Sequence, residues 1–469
     1  MKKYLLLALI FNFQFSIFNS LRAQTVYKDG VTYYFFQEEG GYSQVFNCGL
    51  SVSKADIPDS MEYQGKKYPV TEIKDGAFHK LEKLTEVTIG NNVRTIGNEA
   101  FRSCYALESI TLGNSVESIG KSAFEDCAVL TSIDIPNTCR SIGEKAFYGC
   151  GLQSITLGNS LQSIGEQAFY GCDYLTSINI PNTCKSIGKG AFEVCIGLTS
   201  VTLPDSLQTL GEYAFYHCSK LTSIKIPCTI KSISKAMFFA CTSLTQVTFS
   251  DSVKSIGDYA FYFCSSLSSI TLPDSLQTLG EFAFRNCYAL TSIKIPNTIK
   301  SIGKGMFSFC KSLTQVTFSD SVKSIGDYAF TDCTSLTSIN LGKAVQTIGV
   351  EAFYGCPLET VIIPNTIQSV GKDAFTKCPE NLTLSIPYDT RILFVNAGLS
   401  PSQLVERNPV EQDVNNDGHI NSGDVVSIYN YIIAPENTGI HPFRADTNLD
   451  GAVNSGDVVD IYNAIINGK

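Results

Sequence analysis

The sequence lacks tryptophan, is poor in histidine and carries no surplus of positive charge. Its four histidines leave few imidazoles for catalysis or for a transition-metal site. With 35 lysines and arginines against 44 aspartates and glutamates, the formal net charge is −9. Because the sequence also has no basic stripe, we expect no nucleic acid among its partners.

Familiar catalytic motifs are missing as well. The sequence contains no G-x-S-x-G, no H-E-x-x-H and no glycine-rich phosphate loop. Nothing between residues 24 and 400 supplies the paired carboxylates of a glycoside hydrolase. We therefore expect a protein that is not an enzyme.

Only one segment is apolar enough to suggest a membrane or export signal. Residues 1–23 combine a basic start, the apolar stretch "YLLLALIFNFQF" and a small residue, Ala23, which is typical of a cleaved secretory signal peptide. Asn12, Gln14 and Asn19 interrupt the stretch before it reaches the ~20 apolar residues of a membrane span. We expect a secreted, extracellular protein without a membrane span.

A phenylalanine recurs at intervals of 23 residues, shortened twice to 22, through most of the chain. The series is Phe78, Phe101, Phe124, Phe147, Phe169, Phe192, Phe215, Phe238, Phe261, Phe284, Phe307, Phe330, Phe353 and Phe375. A period in the twenties is the signature of a solenoid. Burial of the apolar side chains of one repeat would contribute ~10–20 kcal/mol, whereas ordering its 23 residues would cost ~35 kcal/mol. A single repeat is therefore unstable, and we expect the repeats to fold only as an array.

Each repeat reads L-x-x-I-x-I-P-x-S/T-x-x-x-I-G-x-x-A-F-x-x-C. Alternation predicts a strand with Ile133 and Ile135 facing inward and Ser132 and Asp134 facing outward. "IG" then marks a bend, and the A-F-x-x-C stretch fits one face of a short helical turn. The predicted fold is an α/β repeat solenoid of 23-residue units, with a parallel strand ladder and short helical turns.

The chain divides into five predicted segments. After the signal peptide, residues 24–76 form an N-terminal cap and 77–398 the solenoid with its C-terminal cap. Residues 399–411 form a linker, and 412–469 a separate small module.

Thirteen of the 17 cysteines lie three residues after the repeat phenylalanine. We expect them to be reduced and buried as small hydrophobic side chains, because successive repeats should lie too far apart for disulfide geometry. Cys139 and Cys184 also occupy a core position, whereas Cys228 should be exposed. The redox states of Cys48, in the cap, and of Cys228 stay open.

Serine and threonine dominate the outward strand positions. One column runs from Ser109 through Ser132 and Ser154, and its neighbour from Thr111 through Asp134 and Thr156. These hydroxyls either solubilise the sheet or bind a protein or glycan ligand along an extended face. The absence of tryptophan weakens the case for a glycan.

The last 60 residues contain two similar segments, "DVNNDGHINSGDVVSIYNYII" and "DTNLDGAVNSGDVVDIYNAII". Alternating carboxylates and amides in a tight loop supply the oxygens that Ca²⁺ prefers, and each segment should bind one ion. Each loop is followed by an amphipathic helical run, so the pair predicts a small all-α module of two loop–helix repeats. The predicted ligands include the backbone carbonyls of His419 and Ala452 and the side chains of Asp413, Asn415, Asp417, Asn421, Asp424, Asp446, Asn448, Asp450, Asn454 and Asp457.

Residues 25–398 resemble the BspA-like leucine-rich repeats of bacterial surface and secreted proteins, through the strand motif, the "SIGxxAFxxC" return and the "YxGKKYPVTEI" entry. Residues 412–469 resemble a type I dockerin, with two calcium repeats and Asp at loop position 12. The first resemblance implies adhesion or ligand binding, and the second implies docking to a cohesin module. The dockerin recognition positions fall on Ser422, Gly423, Ser455 and Gly456, where glycine replaces a side chain often present in the family.

Two functions follow from these expectations. The first is a secreted binding or adhesion protein whose solenoid presents a ligand face and whose dockerin docks to a cohesin-bearing scaffold. The alternative is an accessory or catalytic component of an extracellular polysaccharide-degrading complex.

Overall fold

The computed structural model describes residues 24–37, 41–407 and 425–426. The chain divides after Leu290 into two compact units. Within each unit the repeats form a β-solenoid whose strands are mostly parallel. We call one turn of the solenoid a rung.

The first unit opens with six strands, Gln24–Lys28, Val31–Phe36, Tyr42–Cys48, Lys54–Ile57, Ser60–Tyr63 and Lys66–Ile73. The first three form an antiparallel meander, and Tyr42–Cys48 then pairs in parallel with Lys66–Ile73. Lys66–Ile73 in turn pairs with Thr95–Ile96 of the first regular repeats. The segment expected to form the N-terminal cap thus adds strands to the edge of the repeat sheet.

Ladder A is the row of strands formed by the L-x-x-I-x-I motif. In the first unit it comprises Glu86–Ile89, Ser109–Thr111, Ser132–Asp134, Ser154–Thr156, Ser177–Asn179, Ser200–Thr202, Ser223–Lys225 and Gln246–Thr248. Paired strands are parallel and in register. Ile133 and Ile135 are buried while Ser132 and Asp134 are exposed, which confirms the predicted alternation.

Ladder B is a second row of parallel strands that the sequence interpretation did not include. In the first unit it comprises Thr95–Ile96, Ser118–Ile119, Ser141–Ile142, Ser163–Ile164, Ser186–Ile187, Thr209–Leu210, Ser232–Ile233, Ser255–Ile256 and Thr278–Leu279. The predicted bend at Ile142 therefore begins as a strand, and only Gly143 turns the chain. A Cβ on Gly143 would lie 2.6 Å from the carbonyl carbon of Gly120, so glycine is favoured there, although Ser234 occupies the equivalent position of a later rung.

The return arm, from the repeat glycine to the repeat cysteine, is not helical, which corrects the predicted short helical turns. It is a series of turns in which Glu99 and Ser103 adopt the left-handed conformation, with φ of 54° and 58°. The amides of Glu99, Phe101 and Ser103 donate to carbonyls of the following rung at 2.7–2.8 Å. These bonds between rungs replace the i→i+4 bonds of a helix, and they exist only because the rungs stack.

The second unit repeats this arrangement. Its ladder A comprises Ser292–Lys294, Gln315–Thr317, Thr360–Ile362 and Thr383–Ile386, and its ladder B comprises Ser301–Ile302, Ser324–Ile325, Thr347–Ile348 and Ser369–Val370. It ends with the helix Arg391–Asn396, the 3₁₀ turn Pro401–Gln403 and the strand Leu404–Glu406.

The start of the predicted linker is structured. Leu404–Glu406 pairs in parallel with Thr383–Ile386, and Leu404 is buried. The Arg407 guanidinium donates to the carbonyl of Ile363 at 2.7 Å. The segment predicted as a linker from residue 399 therefore remains part of the second unit up to Arg407.

Stacked phenylalanines form the centre of the core. From Phe78 to Phe284 the ring centroids of successive rungs are 4.7–5.7 Å apart and the rings are nearly parallel. Within the second unit, Phe307 to Phe375 are stacked in the same way, at 5.2–5.4 Å. Each stacked pair adds ~0.5–1.5 kcal/mol to the free energy gained by burial.

Replacing one stacked ring should destabilise the solenoid strongly. Phe192 is fully buried between Phe169 and Phe215, so Phe192→Ala should lower the free energy of unfolding by ~3–5 kcal/mol through lost contacts and the cavity left behind. Urea denaturation followed by circular dichroism measures the change. Tyr174→Ala is the control, because Tyr174 is 65% exposed, and equal losses for both variants would contradict the stacked core.

Candidate functional site

Ladder A presents the predicted hydroxyl face. In the first unit its outward side chains are exposed in two columns, Ser109, Ser132, Ser154, Ser177, Ser200 and Ser223, and Thr111, Asp134, Thr156, Asn179, Thr202 and Lys225. Within residues 24–407 the serine hydroxyls of the first column have no hydrogen-bond partner. The face is a narrow polar strip whose hydroxyl groups are available to a ligand.

Other hydroxyls of the repeat are structural, and the sequence did not distinguish them. Thr138 Oγ1 donates to the carbonyls of Asn114 and Val116 in the preceding rung, at 2.7 and 2.8 Å. The corresponding hydroxyls of later rungs, including Thr183, make the same contacts. Thr199 similarly donates to the carbonyl of Thr176 at 2.9 Å. These side chains connect rungs, so the candidate binding face is confined to the strand positions themselves.

The cysteines are free, and most are buried in the core. All 17 lie in the described part of the chain, and Cys228 is exposed as predicted. Each repeat thiol donates to the carbonyl of a phenylalanine one rung earlier, as Cys127 Sγ does to Phe101 O at 3.2 Å. Burial raises the pKa of Cys104 and of Cys172 to about 12. These thiols therefore stay protonated at neutral pH and are unsuited to act as nucleophiles.

Successive repeats lie closer together than predicted, although the predicted free thiols are confirmed. The amide of Ser103, next to Cys104, donates to Glu125 O at 2.7 Å, so adjacent return arms lie at strand spacing. A strand spacing of ~4.8 Å falls inside the Cα separation that a disulfide needs. The thiols instead point at backbone carbonyls, and that hydrogen bond accounts for their orientation.

Charged side chains of the described residues do not converge on a metal centre. Among these residues no group of three or more His, Cys, Asp or Glu is arranged to hold a metal. His79 Nδ1 lies 3.7 Å from the Glu99 carboxylate, and His217 is exposed on the return arm of another rung. No helix among the described residues is long and apolar enough to cross a membrane.

The predicted calcium and cohesin-contact residues lie outside the described residues. This applies to every predicted ligand from Asp413 to Asp457 and to the recognition positions Ser422, Gly423, Ser455 and Gly456. Val425 and Val426, which open the helical run after the first loop, are described and are helical.

Comparison with known families assigns both parts of the chain. The BspA type leucine rich repeat region matches in six copies, over residues 42–176, 162–267 and 254–383. The dockerin type I domain matches residues 411–466. Both resemblances inferred from the sequence are thereby confirmed.

Similar structures are leucine-rich repeat proteins of bacteria. One from Bacteroides ovatus is 31% identical, with a TM-score of 0.66, and the match covers 82% of this chain and 100% of that one. One from Eubacterium ventriosum is 22% identical, with a TM-score of 0.45 and coverages of 76% and 94%. The pneumococcal vaccine antigen PcpA is 19% identical, with a TM-score of 0.47 and coverages of 82% and 99%. No curated protein matches the sequence.

Thiol labelling tests the burial of the cysteines. At pH 8 a maleimide should label one thiol per native chain, Cys228, and all 17 after denaturation. Burial raises the pKa of Cys139 and Cys184 to about 11, so raising the pH to 9 should add little labelling. Mass spectrometry identifies the labelled site, and Cys228→Ser should remove it. Rapid native labelling of several repeat cysteines would contradict this arrangement.

Proposed function

This chain belongs to the BspA-type leucine-rich repeat family, and we propose that it is a secreted, non-catalytic binding or adhesion protein. Its solenoid presents an extended face that binds a ligand, and its C-terminal dockerin docks to a cohesin module on a scaffold or surface protein. One observation supports this proposal above all: the same chain has an exposed hydroxyl face on stacked strands and a match to the dockerin type I domain.

The ladder A face suits recognition of a partner. Ser132 and Ser154 point outward from paired strands in which the inward Ile133 is buried and Ile155 is half-buried, so their positions are fixed before a ligand arrives. Fixed groups lose little conformational entropy on binding. Lys225 and Asp134 add isolated charges that a protein or glycan partner would have to match.

In the proposed module each of two loops holds one Ca²⁺, and each loop leads into a helix. Asp413, Asp417 and Asp424 supply carboxylates to the first ion, and Asp446, Asp450 and Asp457 occupy the same positions in the second loop. Six to eight oxygens surround Ca²⁺, and the remaining ones come from the asparagines and from the backbone carbonyls of His419 and Ala452. Neither helix can bury its apolar face alone, so binding of the ions and packing of the two helices should be coupled.

A dockerin on a leucine-rich repeat protein also supports the alternative of an accessory or catalytic role in a polysaccharide-degrading complex. Both alternatives place the protein outside the cell, with residues 1–23 directing export. They differ in whether the solenoid changes its ligand chemically.

Removing one carboxylate from each loop should abolish calcium-dependent docking. In calorimetry the full chain should bind two Ca²⁺ ions, Asp413→Ala one, and Asp413→Ala with Asp446→Ala none. The double variant should also lose calcium-dependent capture of a cohesin-bearing protein from the extracellular fraction of the source organism. At a hundredfold excess over Kd, each bound Ca²⁺ should stabilise the module by about 2.7 kcal/mol, measured as chelator-sensitive protease resistance.

Asp134→Ala is the matched control, because it removes an exposed carboxylate from the solenoid. The calcium module would be refuted if chelator left protease resistance unchanged in the unmodified chain. Calcium binding without any cohesin capture would refute only the docking partner.

Incubation with glycans separates the two functions. The purified full chain should release no sugar from a panel of plant and bacterial polysaccharides, because the proposed function is to bind a ligand and not to cleave it. Reducing-end assays and chromatography of the products measure release. Sugar release that persists through purification would establish the catalytic alternative and overturn the binding protein.

A further inference from the structure

A column of side chains just before ladder B carries an unusual pattern of charge. In the first unit it reads Arg94, Glu117, Arg140, Gln162, Lys185, Gln208, Lys231, Lys254 and Gln277. A cation thus alternates with a neutral amide from Arg140 to Lys231. Arg140, Gln162 and Lys185 are exposed, so core packing does not require this pattern.

The backbone holds these side chains in register. The amide of Gln162 donates to the carbonyl of Arg140 and that of Lys185 to the carbonyl of Gln162, both at 2.8 Å. Successive positions are therefore one strand spacing apart, so Arg140 and Lys185 are separated by about 10 Å along the column. The spacing is set by the solenoid and not by flexible loops.

Arg140 and Lys185 stand at the ends of a groove. Ser160, Gln162, Asn182 and Thr183 line it between them, and its volume is about 480 Å³. Thr183 Oγ1 donates to the carbonyls of Asn159 and Leu161, which fixes one wall. The groove thus offers two cations, two amides and hydroxyl groups, and no aromatic ring lines it within the described chain.

Within residues 24–407 neither Arg140 nor Lys185 is held in an ion pair, although Glu117 occupies the column position one rung before Arg140. Arg94 in the same column lies 3.7 Å from Glu117. Alternation alone would be explained by avoiding like charges on adjacent strands. Glutamate would serve that purpose better, as Glu117 does. Gln162 instead keeps the groove positively charged.

We propose that this groove binds a linear acidic polysaccharide that carries a carboxylate or sulfate on every second sugar. Two anionic groups would pair with Arg140 and Lys185, and the intervening sugar would meet the Gln162 and Asn182 amides. Side chains on one face of an extended acidic peptide recur at ~6.8 Å, which fits the spacing less well. A single-stranded nucleic acid would need stacking rings that the groove lacks. The groove is lined by residues that precede ladder B, so it differs from the ladder A face and from the residues proposed for cohesin docking.

The test uses the full chain and a hyaluronan decasaccharide, which carries a carboxylate on every second sugar. Calorimetry should show binding that weakens as salt is raised, because counterions are released from the polyanion. Arg140→Gln combined with Lys185→Gln should lower affinity at least about tenfold, since each change removes a charged hydrogen-bond donor. Both positions are exposed, so circular dichroism should remain unchanged.

Lys220→Gln combined with Lys235→Gln is the matched control. It makes the same change in net charge at exposed positions outside the column. Its affinity for hyaluronan should therefore stay within about twofold of that of the unmodified chain. Neutral chitin oligosaccharide, polyglutamate and an oligothymidylate serve as comparison ligands. Equal losses in both double variants, equal affinity for polyglutamate or oligothymidylate, or no hyaluronan binding would each overturn the proposal. Cohesin capture is measured separately and does not depend on this outcome.

Discussion

Hydrogen bonding between the backbones of successive rungs is the constraint on which the rest of the structure depends. It holds the rungs in register at strand spacing, not only in the two ladders but also through the return arms. That spacing favours glycine at positions such as Gly143, and it brings the phenylalanine rings into a stack. It also carries the cysteine thiol to within reach of a carbonyl one rung earlier. The repeated residues of the sequence are therefore consequences of one stacking distance.

The same constraint explains which parts of the fold could be predicted from the sequence. Burial of Ile133 and the exposure of Ser132 follow from alternation within one repeat, which sequence reveals directly. The conformation of the return arm could not be predicted in this way, because its left-handed positions hold residues such as Tyr213, Val194 and Phe282 instead of glycine. A left-handed residue costs ~1–2 kcal/mol, and only bonds to a neighbouring rung offset it. The sequence thus predicts the contacts within one repeat, but it does not predict the contacts between repeats.

The candidate sites show the same division. The strand serines were recognised as an outward face, but hydroxyls that connect rungs, such as Thr138, have the same chemistry and a different role. Only the structure separates them, because the acceptor lies 24 residues away in sequence. The alternation of Arg140, Gln162 and Lys185 was equally visible in the sequence, yet it had no meaning until ladder B placed those residues in one column. For the calcium loops the reverse holds, since all ligands fall within 12 consecutive positions and the pattern is complete in sequence alone.

A surface built from repeats favours some functions over others. Catalysis needs unlike groups that converge on one point, with environments that set their pKa values apart. In-register stacking instead presents like groups at a fixed interval along a line, as ladder A does with Ser132 and Ser154. Such a surface matches a ligand that is itself periodic, because each further rung adds another equivalent contact. Linked contacts raise affinity through effective concentration even when each is weak. A dockerin would add a second level of repetition, because several chains docked to one scaffold would present several copies of the same surface to the ligand.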